Sequence, residues 1–82
     1  MTKSVSSQNY SVLLKLLSNA RKQSGLTQKA VADKLHQSQS YVSKYENGDR
    51  RLDVVEFIEV ANALKISPVG IVKDLIHDWK WD

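Results

Sequence analysis

The stretch Leu26-Thr27-Gln28-Lys29-Ala30-Val31-Ala32-Asp33-Lys34-Leu35-His36-Gln37-Ser38-Gln39-Ser40-Tyr41-Val42-Ser43-Lys44-Tyr45-Glu46-Asn47-Gly48 decides the fold. Thr27 has the chemistry of an N-cap, whose side-chain oxygen accepts from an otherwise unpaired amide of the first helical turn. Val31, Ala32 and Leu35 then make one apolar face of a short helix. His36-Gln37 carries no helical stripe. Ser38 is the next N-cap, and Val42 and Tyr45 give the following helix its inner face. A connection of only about three residues cannot lay two helices antiparallel in full contact, so it suits a crossing near 90–120°. Ala32 is the small residue that such a close crossing needs.

Working outward, Tyr10, Leu13, Leu14, Leu17 and Ala20 follow the i, i+3, i+4, i+7 spacing of an amphipathic helix. Gly25 ends it, with Leu26 folding back on the last turn. Downstream, Asn47-Gly48-Asp49 is a turn. Asp53 and Glu56 form a capping-box pattern that opens a helix striped by Val54, Phe57, Ile58, Ala61 and Leu64. Ser67-Pro68 opens a fifth helix bearing Val72, Leu75, Ile76 and Trp79. No segment alternates as a strand does. The expected fold class is all-α, five short helices around one core. Residues 1–9 read as a flexible N-terminal arm, 10–78 as the helical domain and 79–82 as a C-terminal tail.

At 82 residues the chain has surface enough to bury for one small domain. Its 41 % hydrophobic and 26 % charged content is too apolar for a disordered segment and too polar for a membrane protein. No apolar run approaches the ~18–20 residues that span a bilayer. Ser4, Ser6, Ser7, Gln8 and Asn9 leave no secretory core after Lys3. The absence of cysteine excludes disulfides, zinc-thiolate sites and thiol catalysis, and a cytoplasmic location is the expectation. His36 and His77 lack metal-ligand spacing and read as solvent-exposed side chains. Gly25, Gly48 and Gly70 are isolated and build no phosphate-cradling loop. Serine, histidine and aspartate occur without an activating elbow. Neither an enzyme, a metal nor a cofactor is expected.

The charge is more telling when located. Residues 21–51 carry seven basic side chains against three acidic ones, whereas the rest of the chain holds five against six. A basic middle beside a near-neutral remainder suggests a polyanionic partner. The outer face of the Ser38–Tyr45 helix is left with Gln39, Ser40, Tyr41, Ser43 and Lys44. Such side chains read base edges in a major groove: Gln pairs with adenine, Lys donates to guanine, and Ser does either with little discrimination. Tyr41 either packs on a base or covers the helix surface.

Ala20-Arg21-Lys22, Leu26-Thr27-Gln28, the run from Ser38 through Val42-Ser43-Lys44-Tyr45-Glu46-Asn47-Gly48, and Ile58–Leu64 occur in an order and spacing that closely resembles the phage-repressor-like (Cro/Xre) helix-turn-helix domains. The resemblance covers roughly Leu13–Leu75 and implies a five-helix, λ-repressor-like fold that docks on double-stranded DNA. It implies that Thr27 and Gln28 grip a phosphate, with Gln28 also bracing Gln39. Gln39, Ser40, Ser43 and Lys44 match positions facing bases or flanking phosphates. Asn47, Arg50 and Arg51 match the loop that follows the DNA backbone. Arg21 and Glu46 match a structural ion pair. Two residues depart from the family: His36 stands where glycine is usual, and Gln37 where an aliphatic is. Both loosen or redirect the turn, and with it the aim of Gln39 and Ser40.

Trp79 and Trp81 either finish the monomer or join Ile71, Leu75 and Ile76 in a homodimer patch. The dimer is favoured, because two copies related by a two-fold read half-sites of a palindromic operator about 34–36 Å apart. The functional expectation is a small dimeric, sequence-specific transcriptional regulator, most often a repressor in this family. The rival reading is a protein-interaction module, such as an antitoxin holding a toxin or an adaptor with another protein partner, in which DNA binding is autoregulatory or lost.

Overall fold

Each helix after the first begins at a side chain that closes its own first turn. In the computed structural model, which describes residues 3–81 and side chains from Gln8 onward, Thr27 Oγ1 accepts from the Ala30 amide at 3.0 Å. Ser38 Oγ accepts from the Tyr41 amide at 3.2 Å, and Ser67 Oγ from the Gly70 amide at 3.1 Å, just ahead of Pro68. Asp53 and Glu56 close a reciprocal capping box, the two bonds measuring 2.7 and 2.9 Å. These caps start α2 (Gln28–Leu35), α3 (Gln39–Asn47), α4 (Val54–Ala63) and α5 (Pro68–His77), which follow the long α1 (Lys3–Gln23). Among the described residues the fold is all-α with five helices, as the spacing predicts.

Helix α1 begins at Lys3 and so runs through most of the stretch read from sequence as an arm. Met1 and Thr2 of that arm, and Asp82 of the tail, lie outside the described residues. Within that stretch Asn9 is only 3 % exposed. Its Oδ1 accepts from the Lys80 amide at 2.8 Å and its Nδ2 donates to the Lys80 carbonyl at 3.2 Å. An anchor between residues 71 positions apart leaves no trace in local hydrophobic period.

The helices end as economically as they begin. At Gly25, His36, Gly48 and Lys65 the chain enters the left-handed region, with φ of 74°, 56°, 82° and 58°. The amide of the following residue then reaches back to a carbonyl of the last turn: Leu26 to Arg21, Gln37 to Ala32, Asp49 to Lys44 and Ile66 to Ala61. This is the Schellman arrangement, for which glycine is the unstrained choice. His36 and Lys65 adopt it with a Cβ.

The core is built from Leu14 and Leu17 of α1, Val31 and Ala32 of α2, Val42 and Tyr45 of α3, and Val60, Ala61 and Leu64 at the end of α4. Ile71 belongs to this interior at 9 % exposure, which corrects its expected place on a dimer surface. A side chain that fills the monomer core is not free to meet a partner. Because His36 already holds the left-handed conformation, His36→Gly relieves strain without moving the chain. Thermal denaturation should show it stabilised by about 1 kcal/mol, roughly 4–8 °C in Tm for a domain of this size. An unchanged or lower Tm would mean the turn carries no strain.

Candidate nucleic-acid interface

Helices α2 and α3 meet through Val31 and Ala32 on one side and Val42 on the other, all 1 % exposed or less. With Val42 and Tyr45 driven inward, the helical pitch leaves Gln39, Ser40, Ser43, Lys44 and Asn47 across about 140° of the opposite side. Gln39, Ser40, Lys44 and Asn47 are exposed and Ser43 is half-buried. The resulting ridge is polar along its whole length and carries one cation.

Tyr41 is not part of that ridge. It lies on the inner arc, half-buried against the core, its ring edge-on to Tyr45 at 5.8 Å and covered by the Arg50 guanidinium at 4.6 Å. Burial, with Glu56 nearby, pushes its phenol above the ordinary range. Of the two roles open to Tyr41 in the sequence, the structure favours packing.

Beneath the ridge sits a buried polar knot. Arg21 Nε and Nη2 donate to the two Glu46 carboxylate oxygens at 2.7 and 3.1 Å, and Nη1 donates to the Leu26 carbonyl at 3.0 Å. The two side chains are 12 % and 8 % exposed. The hydrogen bonds to Glu46 hold the Arg21 guanidinium charged against the cost of its burial. Gln28 Nε2 donates to the same carboxylate at 3.0 Å. The expected brace from Gln28 to Gln39 is therefore replaced by one from Gln28 to Glu46, because the charged acceptor is the stronger partner.

The loop after α3 divides its two arginines. Arg50 makes a two-pronged ion pair with Glu56 at 2.7 and 3.1 Å, so its charge is committed within the chain. Arg50, expected along the DNA backbone, is thus paired within the chain. The pairing lowers the Glu56 carboxyl below the usual range, helped by the Asp53 amide. Arg51 has its guanidinium 4.3 Å over the Tyr10 ring and is exposed. Lys44 and Arg51 make no ion pair among the described residues. Thr27, exposed, accepts with its oxygen at the α2 cap, which leaves its hydroxyl proton to donate.

Tyr10 and Glu56 are the site residues that sequence reasoning missed. Tyr10 read only as one apolar member of the α1 stripe, and Glu56 only as half of a capping box. Of the expected dimer residues, Ile76 and Trp81 are exposed at 57 % and 80 %, whereas Leu75 and Trp79 are half-buried and line a groove with α1. The larger exposed apolar surface lies on α4 and α5, where Val54, Ile58, Val69 and Val72 line one groove.

The polar knot makes a sharp forecast. Arg21→Met strands the Glu46 carboxylate in a poorly hydrated place and should cost about 3–5 kcal/mol in urea denaturation. Adding Glu46→Leu should restore much of the loss, since a buried pair is worth little over apolar residues of similar volume. A single variant of near wild-type stability would show that the pair is not what ties these helices together.

Comparisons with known proteins agree with this geometry. A helix-turn-helix family model matches residues 17–71. The structure is similar to that of an XRE-family like protein from Pseudomonas syringae pv. tomato str. DC3000, with a TM-score of 0.90 and 41 % identity over 93 % of each chain. It is also similar to the wild-type restriction-modification controller protein C.Esp1396I, with a TM-score of 0.77 and 25 % identity over 84 % of this chain and 90 % of that one. The clp gene regulator ClgR from C. glutamicum shares the fold at 20 % identity, with a TM-score of 0.77 over 90 % of this chain and 96 % of its own. No curated protein sequence matches the chain. The chain belongs to the Cro/Xre-type helix-turn-helix family, whose members are DNA-binding transcription regulators and not enzymes.

Proposed function

We propose that this chain is a small cytoplasmic regulator that binds a palindromic operator as a homodimer and represses by occupancy. The observation that carries the reading is the outer ridge of α3, polar and largely exposed, while Val42 and Tyr45 of the same helix are buried. Laid in a major groove, Gln39, Ser40, Ser43 and Lys44 supply discrimination between base pairs. Thr27, Gln28, Asn47 and Arg51 supply phosphate contacts that fix register without reading sequence. Arg50 is assigned to holding the loop through Glu56, and Tyr41 to packing beneath Arg50.

Two-fold pairing is assigned to the α4–α5 surface. Val54, Ile58, Val69 and Val72 are 72, 48, 68 and 38 % exposed and together form one apolar groove, the kind of contiguous patch that marks an interaction surface. Pairing also answers a physical need, since one small domain covers too few base pairs to be selective. Sedimentation equilibrium should show a dimer that Val69→Lys converts to monomer with its helix content intact. A dimer unaffected by the substitution would place the interface elsewhere.

Selection of bound sequences from a randomised duplex library tests the reading as a whole. Enrichment of a palindrome with half-sites about one helical turn apart is the expected result. Gln39→Ala and Lys44→Ala should then lose about 1–3 kcal/mol on the enriched site and little on random DNA. Arg51→Ala should weaken both alike and reduce the salt slope by ~1. Equal losses on both duplexes for Gln39 and Lys44 would remove them from base reading, and no binding at low salt would overturn the regulator itself.

A further inference from the structure

The tail after α5 is built into the domain, on the side of the backbone-facing loop. Asn9 spends both ends of its buried amide on the Lys80 main chain, accepting at 2.8 Å and donating at 3.2 Å. Trp79 lines a groove with Asn9, Tyr10, Leu13, Leu75 and Arg51, and the Trp81 ring tilts against Trp79 at 5.8 Å. Tyr10 is the next residue of α1, and it grips the loop on both sides of Arg51. Its hydroxyl accepts from the Leu52 amide at 3.0 Å and points its proton at the Arg50 carbonyl, 3.5 Å away. The Arg51 guanidinium lies over the same ring, 4.3 Å from its centre, in a cation–π contact. A tether thus runs from the tail through Asn9 and Tyr10 to a cation that has no carboxylate partner among the described residues.

We propose that Tyr10 and the Trp79–Trp81 tail are positioning elements that hold Arg51 in place for a DNA phosphate, with Asn9 as the link between them. The proposal rests on the DNA-binding reading above. Its physical content is preorganisation. A long arginine that is already seated gives up less side-chain freedom when the phosphate arrives than one that is free.

The test uses the full chain with Asn9→Ala, Tyr10→Phe, Arg51→Ala and the Asn9→Ala/Arg51→Ala double variant. Binding to the selected site and to random duplex is followed across a salt series, and amide exchange at Leu52 is followed in the free protein. Asn9→Ala should weaken both duplexes alike, by roughly three- to tenfold, with the salt slope kept, because a less ordered Arg51 still reaches the phosphate at greater entropic cost. Arg51→Ala instead removes the contact and lowers the slope by about 1. In the Arg51→Ala background Asn9→Ala should add nothing, because the contact it serves is already gone. Tyr10→Phe keeps the ring and the fold while removing the hydroxyl, and should speed Leu52 exchange, as Asn9→Ala should. Additive losses in the double variant, or wild-type affinity in Asn9→Ala, would overturn the proposal. Absence of salt-steep binding by the wild-type chain fails the DNA reading instead. Leu52 exchange then still decides the tether: faster exchange in Asn9→Ala supports it, and unchanged exchange overturns it.

Discussion

The Glu46 carboxylate accepts three hydrogen bonds from two other helices, two from Arg21 of α1 and one from Gln28 of α2. Everything on the outer side of α3 depends on it. Helix α3 is only nine residues long, too short to hold a fixed direction by its own propensity. Val42 and Tyr45 press it into the core but leave it free to rotate slightly about its axis. A buried charge that must keep all its donors removes that freedom. The acidic residue at the end of the helix thereby sets the angle at which Gln39, Ser40, Ser43 and Lys44 face outward.

The division of cations follows a similar logic. Of Arg21, Lys44, Arg50 and Arg51, two are neutralised within the chain: Arg21 by Glu46 beneath α3, and Arg50 by Glu56 at the start of α4. Lys44 and Arg51 keep their charge for the surface. The positive excess counted over residues 21–51 is therefore only partly available to a polyanion. A tally of charge along the sequence does not separate the arginines that build the surface from those that act on it.

Local chemistry was the legible part of this chain. Thr27, Ser38, Asp53 and Ser67 announced the helix starts because an N-cap acts within three residues, and Gly25 and Gly48 announced two of the ends for the same reason. His36 was marked only by standing where the resembled family has glycine, whereas nothing marks Lys65 as left-handed. What stayed hidden depends on distant contacts. Asn9 of α1 is held by Lys80, the loop around Arg51 by Tyr10, and the charge of Arg50 by Glu56. Ile71 was misplaced because an isoleucine on an amphipathic helix looks the same whether the core or a partner lies beyond it. Tyr41 likewise sits at the edge of the ridge, where one helical step decides between base and core.

Both indoles of the chain, Trp79 and Trp81, sit in the tail, so every ultraviolet probe that depends on tryptophan reports on that segment alone. Intrinsic emission and most of the near-ultraviolet dichroism will follow release of the tail from α1, while far-ultraviolet dichroism follows the five helices. Non-coincident melting curves from the two probes would ordinarily be taken as a folding intermediate. In this molecule they would instead measure the free energy of one local clasp against that of the domain, a partial opening that the arrangement of its chromophores makes visible without any label.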